Sequence, residues 1–118
     1  MKHIPQIKKA IGIESVYAGI SMWRYRPKEK DELGAQIDLI IDRNDSCINL
    51  CEIKFSSSAF EINKSYSKEL DNKLNVFQQR TGTRKSLFLT MITTYGVKNL
   101  INYPGLIQKE VTMDVLFN

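Results

Sequence analysis

A single α/β domain over residues 1–118, built on a central mixed β-sheet flanked by helices, is the fold the sequence predicts. Three observations carry this. Gln36–Arg43 and Cys47–Phe55 read as two strands joined by the turn-forming cluster Asn44-Asp45-Ser46. Tyr66, Leu70, Leu74 and Phe77 form one helical stripe within residues 63–80, and Gly82 supplies a stop. Residues 85–93 are apolar on both faces, as a strand central in a sheet must be.

The remaining elements follow in chain order. Ile4, Ile7, Lys8 and Ile11 recur at helical spacing over residues 3–11, and Gly12 ends that helix. From Ser15 to Arg26 the chain alternates, with Val16, Ala18, Ile20 and Met22 on one side and Tyr17, Gly19, Ser21 and Trp23 on the other, which predicts a strand. Residues 27–34 form a solvated connection, and residues 56–62 a serine-rich loop. After the Tyr103-Pro104-Gly105 turn a short strand is expected over residues 107–111. Thr112 then caps a closing helical turn anchored by Met113, Val115, Leu116 and Phe117.

Composition sets the outer bounds. An apolar fraction of 42% and a charged fraction of 25% are those of an ordinary globular protein, not a disordered one. The longest apolar runs are too short to cross a bilayer. The first residues lack the apolar stretch of a secretory signal, so a cytoplasmic location is the expectation. The net charge of +4 helps a polyanion approach without identifying one. Cys47 and Cys51 are neither a zinc set nor an easy disulfide, and read as small buried side chains. The single histidine, His3, offers no base for a catalytic triad.

Chemistry concentrates on the hairpin. Side chains alternate along a strand, so Glu52 and Lys54 share one face, and Asp38 shares its own with Gln36, Ile40 and Asp42. A three-residue loop at Asn44-Asp45-Ser46 makes paired residue numbers sum to ninety and sets Asp38 opposite Glu52, with Cβ atoms about 5 Å apart. A two-residue loop sets Asp38 against Cys51 instead, so register decides whether a site exists. Two carboxylates that close repel unless a cation neutralises them. Mg²⁺ suits the task because it accepts few carboxylates, retains waters and takes phosphate oxygens. Lys54 is then placed to orient water or offset charge on a phosphoryl group. Gln36 is either a lining residue of that pocket or a partner for backbone groups at the strand edge. The plainer reading of Asp38, Glu52 and Lys54 is a polar face with a cross-strand ion pair worth under about 1 kcal/mol.

The sequence Gln36-Ile-Asp38-Leu-Ile-Ile, followed after Cys51 by Glu52-Ile-Lys54, resembles the D…ExK core of the PD-(D/E)XK nuclease superfamily. The stretches from His3 to Gly12, Gly34 to Arg43, Ile48 to Lys54 and Leu89 to Gly96 are similar to the C-terminal domain of bacterial AAA-type (archaeal/bacterial) ATPases. The resemblance implies a restriction-endonuclease-like core and a Mg²⁺- or Mn²⁺-dependent phosphodiester hydrolase acting on nucleic acid, DNA in preference to RNA. Asp38 and Glu52 would hold the metal with the Ile53 carbonyl, and Lys54 would complete the catalytic set. It further implies an ATPase domain in a parent protein, of which this chain is expected to be a C-terminal fragment, with a homodimer among the assemblies allowed. Ile37 replaces the superfamily's proline before the aspartate. Glu14 does not match the position of the family's first-helix glutamate. Residues 81–86 lack the first glycine of a P-loop, so no ATP hydrolysis is expected from that motif. The alternative is a catalytically degenerate binding or oligomerisation module that regulates an ATPase partner.

Overall fold

The computed structural model describes residues 4–13, 15–26, 34–99 and 102–112. Residues 27–33 of the connection expected over 27–34, the closing turn from Met113, His3 and Glu14 lie outside the described residues. Helix α1 (Ile4–Ala10) leads into β1 (Ala18–Tyr25), β2 (Ala35–Arg43) and β3 (Cys47–Lys54). A two-residue strand β4 (Phe60–Glu61) precedes α2 (Lys64–Thr81), and β5 (Ser86–Thr93), β6 (Val97–Lys98) and β7 (Lys109–Thr112) follow. The main sheet has the order β1-β2-β3-β5-β7. Its first three strands are antiparallel, while β3, β5 and β7 run parallel, so the sheet is mixed. The fold is a small α/β domain in which β5 is an interior strand between β3 and β7, as its two-sided apolar pattern requires.

Both helix ends follow from local chemistry. In α1 the Gly12 N–H bonds the Lys9 carbonyl at 3.1 Å and the Ile13 N–H bonds the Lys8 carbonyl at 2.8 Å. This closing pattern needs a left-handed residue at Gly12, where φ is 78°. In α2 the Asn63 side chain accepts the Tyr66 N–H at 2.8 Å, and Gly82 ends the helix at φ 65°. The inward stripe of α2 buries Tyr66, Leu70 and Phe77 on one face of the sheet, against Ile40, Leu50, Leu89 and Met91. Each fully buried aliphatic side chain there contributes about 1.5–3 kcal/mol. Ile7 and Ile13 cover the opposite face with Leu39, Ile41, Cys51, Ile92 and Val111.

Register in the β2–β3 hairpin is set by a three-residue turn. Leu39 pairs with Cys51, Ile40 with Leu50, Ile41 with Asn49 and Asp42 with Ile48, so every pair sums to ninety. Ser46 takes the left-handed turn position at φ 68°, and Arg43 clamps the turn through Nε to Asp45 Oδ1 at 2.9 Å. Side-chain alternation in β2 does not run unbroken, however. Ser21 pairs with Ile40 but Trp23 with Ile37, leaving Asp38 and Leu39 opposite the single residue Met22. This β-bulge reverses the phase of β2 beyond Asp38. Ile37 therefore joins Ile40 in the core beneath α2.

Three further expectations are corrected. The first strand begins at Ala18 rather than Ser15, and its inward residue is Trp23, which meets Phe77 edge-on at 5.1 Å. Ile20 and Met22 are exposed on β1, an edge strand of the sheet. The supposed loop over residues 56–62 contains β4, which pairs in parallel with β6. The last strand is Lys109–Thr112, shifted late relative to 107–111.

Candidate functional site

Asp38 and Glu52 stand where the sheet opens. β2 stays paired with β1 as far as Ala35, and β3 stays paired with β5 as far as Lys54, but pairing between β2 and β3 stops at Leu39 and Cys51. Beyond that point the Ile53 N–H has no backbone partner on β2. Asp38 fills the gap, its Oδ2 accepting the Ile53 N–H at 2.9 Å. The bulge in β2 and the parting of the strands thus bring Asp38 to the end of the Glu52-Ile53-Lys54 run. The register that the three-residue turn requires is the one that brings these residues together.

A cleft of about 530 Å³ opens there between the strand ends and α2. Asp38, Glu52 and Lys54 line it together with Gln36. Arg24 and Arg26 from β1 and the residue after it lie at its rim, and α2 contributes Glu69, Asn72 and Lys73. Gln36 is exposed and its side-chain oxygen accepts from Arg24 Nε at 3.1 Å and Nη2 at 2.6 Å, so it holds the rim arginine. Asn72 ties α2 to the start of β2 by donating to the Gly34 carbonyl at 3.3 Å.

Glu52 is the most unusual group in the cleft, with only 1% of its surface exposed. Its Oε1 accepts a hydrogen bond from the Lys73 ammonium, forming an ion pair that is itself largely buried. Its Oε2 is buried and has no hydrogen-bond partner. Burial pushes the Glu52 carboxyl above its ordinary titration range. The Lys73 hydrogen bond and charge act against that shift, and the Asp38 charge adds to it. Lys54, half-buried, places its ammonium 5.4 Å from the centroid of the Tyr66 ring. The Tyr66 hydroxyl is turned toward Met91 Sδ at 3.8 Å, and burial raises its pKa.

Sequence reasoning missed Lys73 and Glu69. A signal was present: Lys73 falls on the same helical stripe as Tyr66, Leu70 and Phe77, where a cation requires a buried anion opposite. Glu69 precedes it by one turn and reaches within 4.0 Å of its ammonium.

The donor set fits a hard cation with few protein ligands. The unpartnered Glu52 Oε2 is an acceptor with strong cause to take one, because a buried carboxylate oxygen without a donor is costly. In a strand the N–H and C=O of one residue face the same edge, so the Ile53 carbonyl faces β2 beside Asp38. Among the described residues no group of three or more His, Cys, Asp or Glu side chains is placed to hold a metal ion. No protein family model, characterised protein or solved structure matches the chain. Among the described residues no helix is long and apolar enough to cross a membrane.

Proposed function

We propose that this chain is a Mg²⁺-dependent phosphodiester hydrolase domain of the PD-(D/E)XK type, acting on nucleic acid. The observation that carries the reading is Glu52 Oε2, buried and unpartnered beside Asp38 at the parting of β2 and β3. Asp38, Glu52 and the Ile53 carbonyl would hold the cation, which supplies Lewis-acid polarisation of the phosphoryl group and an activated water. Lys54, on the same strand face as Glu52, is positioned to donate to a phosphate oxygen or to the attacking water. Arg24 and Arg26 at the rim offer guanidinium forks to flanking phosphates. The resemblance to the C-terminal domain of AAA-type ATPases extends this proposal to a parent protein with an ATP-binding module.

Cleavage of plasmid and single-stranded DNA, and of RNA, with Mg²⁺ or Mn²⁺ tests the reading. Asp38→Asn should abolish cleavage and Mn²⁺ binding, and Lys54→Ala should lower the rate by about 10²-fold with metal binding retained. Cleavage that persists in Asp38→Asn, or an unaltered rate in Lys54→Ala, would refute it.

One observation favours a second reading. The Lys73 ammonium already neutralises Glu52, so the pocket has a protein cation where a metal would stand. A degenerate binding module regulating an ATPase partner accommodates this. It requires a dimer or nucleic-acid complex that survives both EDTA and Asp38→Ala.

A further inference from the structure

We infer that Lys73 is the internal counter-ion of the cleft, holding the cation position beside Glu52 in the metal-free protein and passing to Glu69 when a divalent cation binds. The inference rests on the metal reading above and adds a residue and an exchange to it.

The argument begins with α2. Residues four apart on a helix are neighbours, so the Lys73 stem starts beside Glu69. From there its ammonium hydrogen-bonds Glu52 Oε1 across the cleft and lies 4.0 Å from Glu69 Oε1. The two acceptors differ in environment. Glu52 is 1% exposed, whereas the Glu69 side chain is 55% exposed. In the metal-free state the ammonium belongs with Glu52, because leaving a buried carboxylate without a cation is far costlier than leaving an exposed one. The Lys73 side chain has four rotatable carbons and a compact charge, so turning from one carboxylate to the other needs no movement of the helix.

A divalent cation at Asp38 and Glu52 changes the preference. Glu52 is then neutralised by the metal, and an ammonium a few ångströms from that metal is repelled. Glu69 provides the nearby anion that receives it. Charge balance is kept on both sides of the exchange, with the lysine never stranded in the cleft. The metal must displace Lys73, so Lys73 weakens metal affinity and Glu69 partly restores it.

Mn²⁺ titrations followed by calorimetry and water-proton relaxation test this without reference to turnover. Lys73→Met should bind Mn²⁺ at least about tenfold tighter than the natural sequence, the factor that corresponds to about 1.4 kcal/mol of displaced ion pairing. Glu69→Gln should weaken binding several-fold in the natural background and much less in the Lys73→Met background. Lys73→Arg, which keeps the charge and the fold, should weaken binding because the guanidinium grips a carboxylate with two parallel bonds. Equal or weaker binding by Lys73→Met, tighter or unchanged binding by Lys73→Arg, or a Glu69→Gln effect identical in both backgrounds would overturn the exchange while leaving the metal site intact. Absence of Mn²⁺ binding in both the natural sequence and Lys73→Met would overturn the metal reading and the exchange together.

Discussion

The Glu52–Lys73 pair predicts an asymmetry in stability that can be measured before any activity is known. Removing the lysine as Lys73→Met leaves Glu52 fixed on a central strand, 1% exposed, with no cation to answer its charge. Breaking such a pair costs about 3–5 kcal/mol when the remaining charge stays buried. Protonation sets a ceiling on that cost. Holding a carboxyl with an ordinary pKa of 4.5 in its neutral form at pH 7 costs about 3.4 kcal/mol. Glu52→Gln is different, since Lys73 retains Glu69 one turn away and can move toward solvent. Its cost should be about 1 kcal/mol, the net worth of one hydrogen bond. Urea unfolding in EDTA at pH 7 should therefore lower the midpoint by about 2 M for Lys73→Met, and by well under 1 M for Glu52→Gln. The pH dependence has a definite sign. A carboxyl whose folded pKa is raised contributes stability below its unfolded pKa and loses it as pH climbs. The Lys73→Met deficit should then be small at pH 4.5 and grow toward pH 7. The reasoning fails if Glu52→Gln costs as much as Lys73→Met, or if the deficit is flat with pH.

Two further outcomes follow from other parts of the fold. Ser46 holds a left-handed conformation in the turn that sets the hairpin register, so Ser46→Gly should raise stability by about 0.5 kcal/mol, the backbone relief exceeding the extra chain entropy; thermal unfolding reads this as a rise of a few degrees. Burial pushes the Cys51 thiol up to about 12, with the neighbouring Glu52 charge adding to it. Cys51 should resist iodoacetamide in the folded protein at pH 8.5, and stability should fall as pH rises from about 9 toward about 12. Mass spectrometry of labelled peptides checks the first, and labelling of Cys51 as fast as in urea would contradict it.

The odd-length turn at Asn44-Asp45-Ser46, the helix with its Gly82 stop and the two-sided apolar strand at residues 85–93 were all legible because each rests on local chemistry. Turn residues, caps and side-chain periodicity act over a few positions and need no distant partner. That Asp38 comes to the same cleft as Glu52 follows from counting residues through such a turn, although strand pairing itself ends at Leu39 and Cys51. The β-bulge was not legible. It depends on how β2 accommodates β1 on one edge while parting from β3 on the other, and no residue in β2 announces it.

What the sequence determined by itself, then, was an α/β order of elements and the proximity of Asp38, Glu52 and Lys54, since both follow from short-range periodicity. Tertiary structure alone decided what surrounds them. α2 packs on the sheet so that Lys73 meets Glu52, 21 residues away in the chain. The resulting burial turns an ordinary pair of charges into a coupled one. Burial and charge pairing at that range are properties of packing, which a linear pattern does not contain.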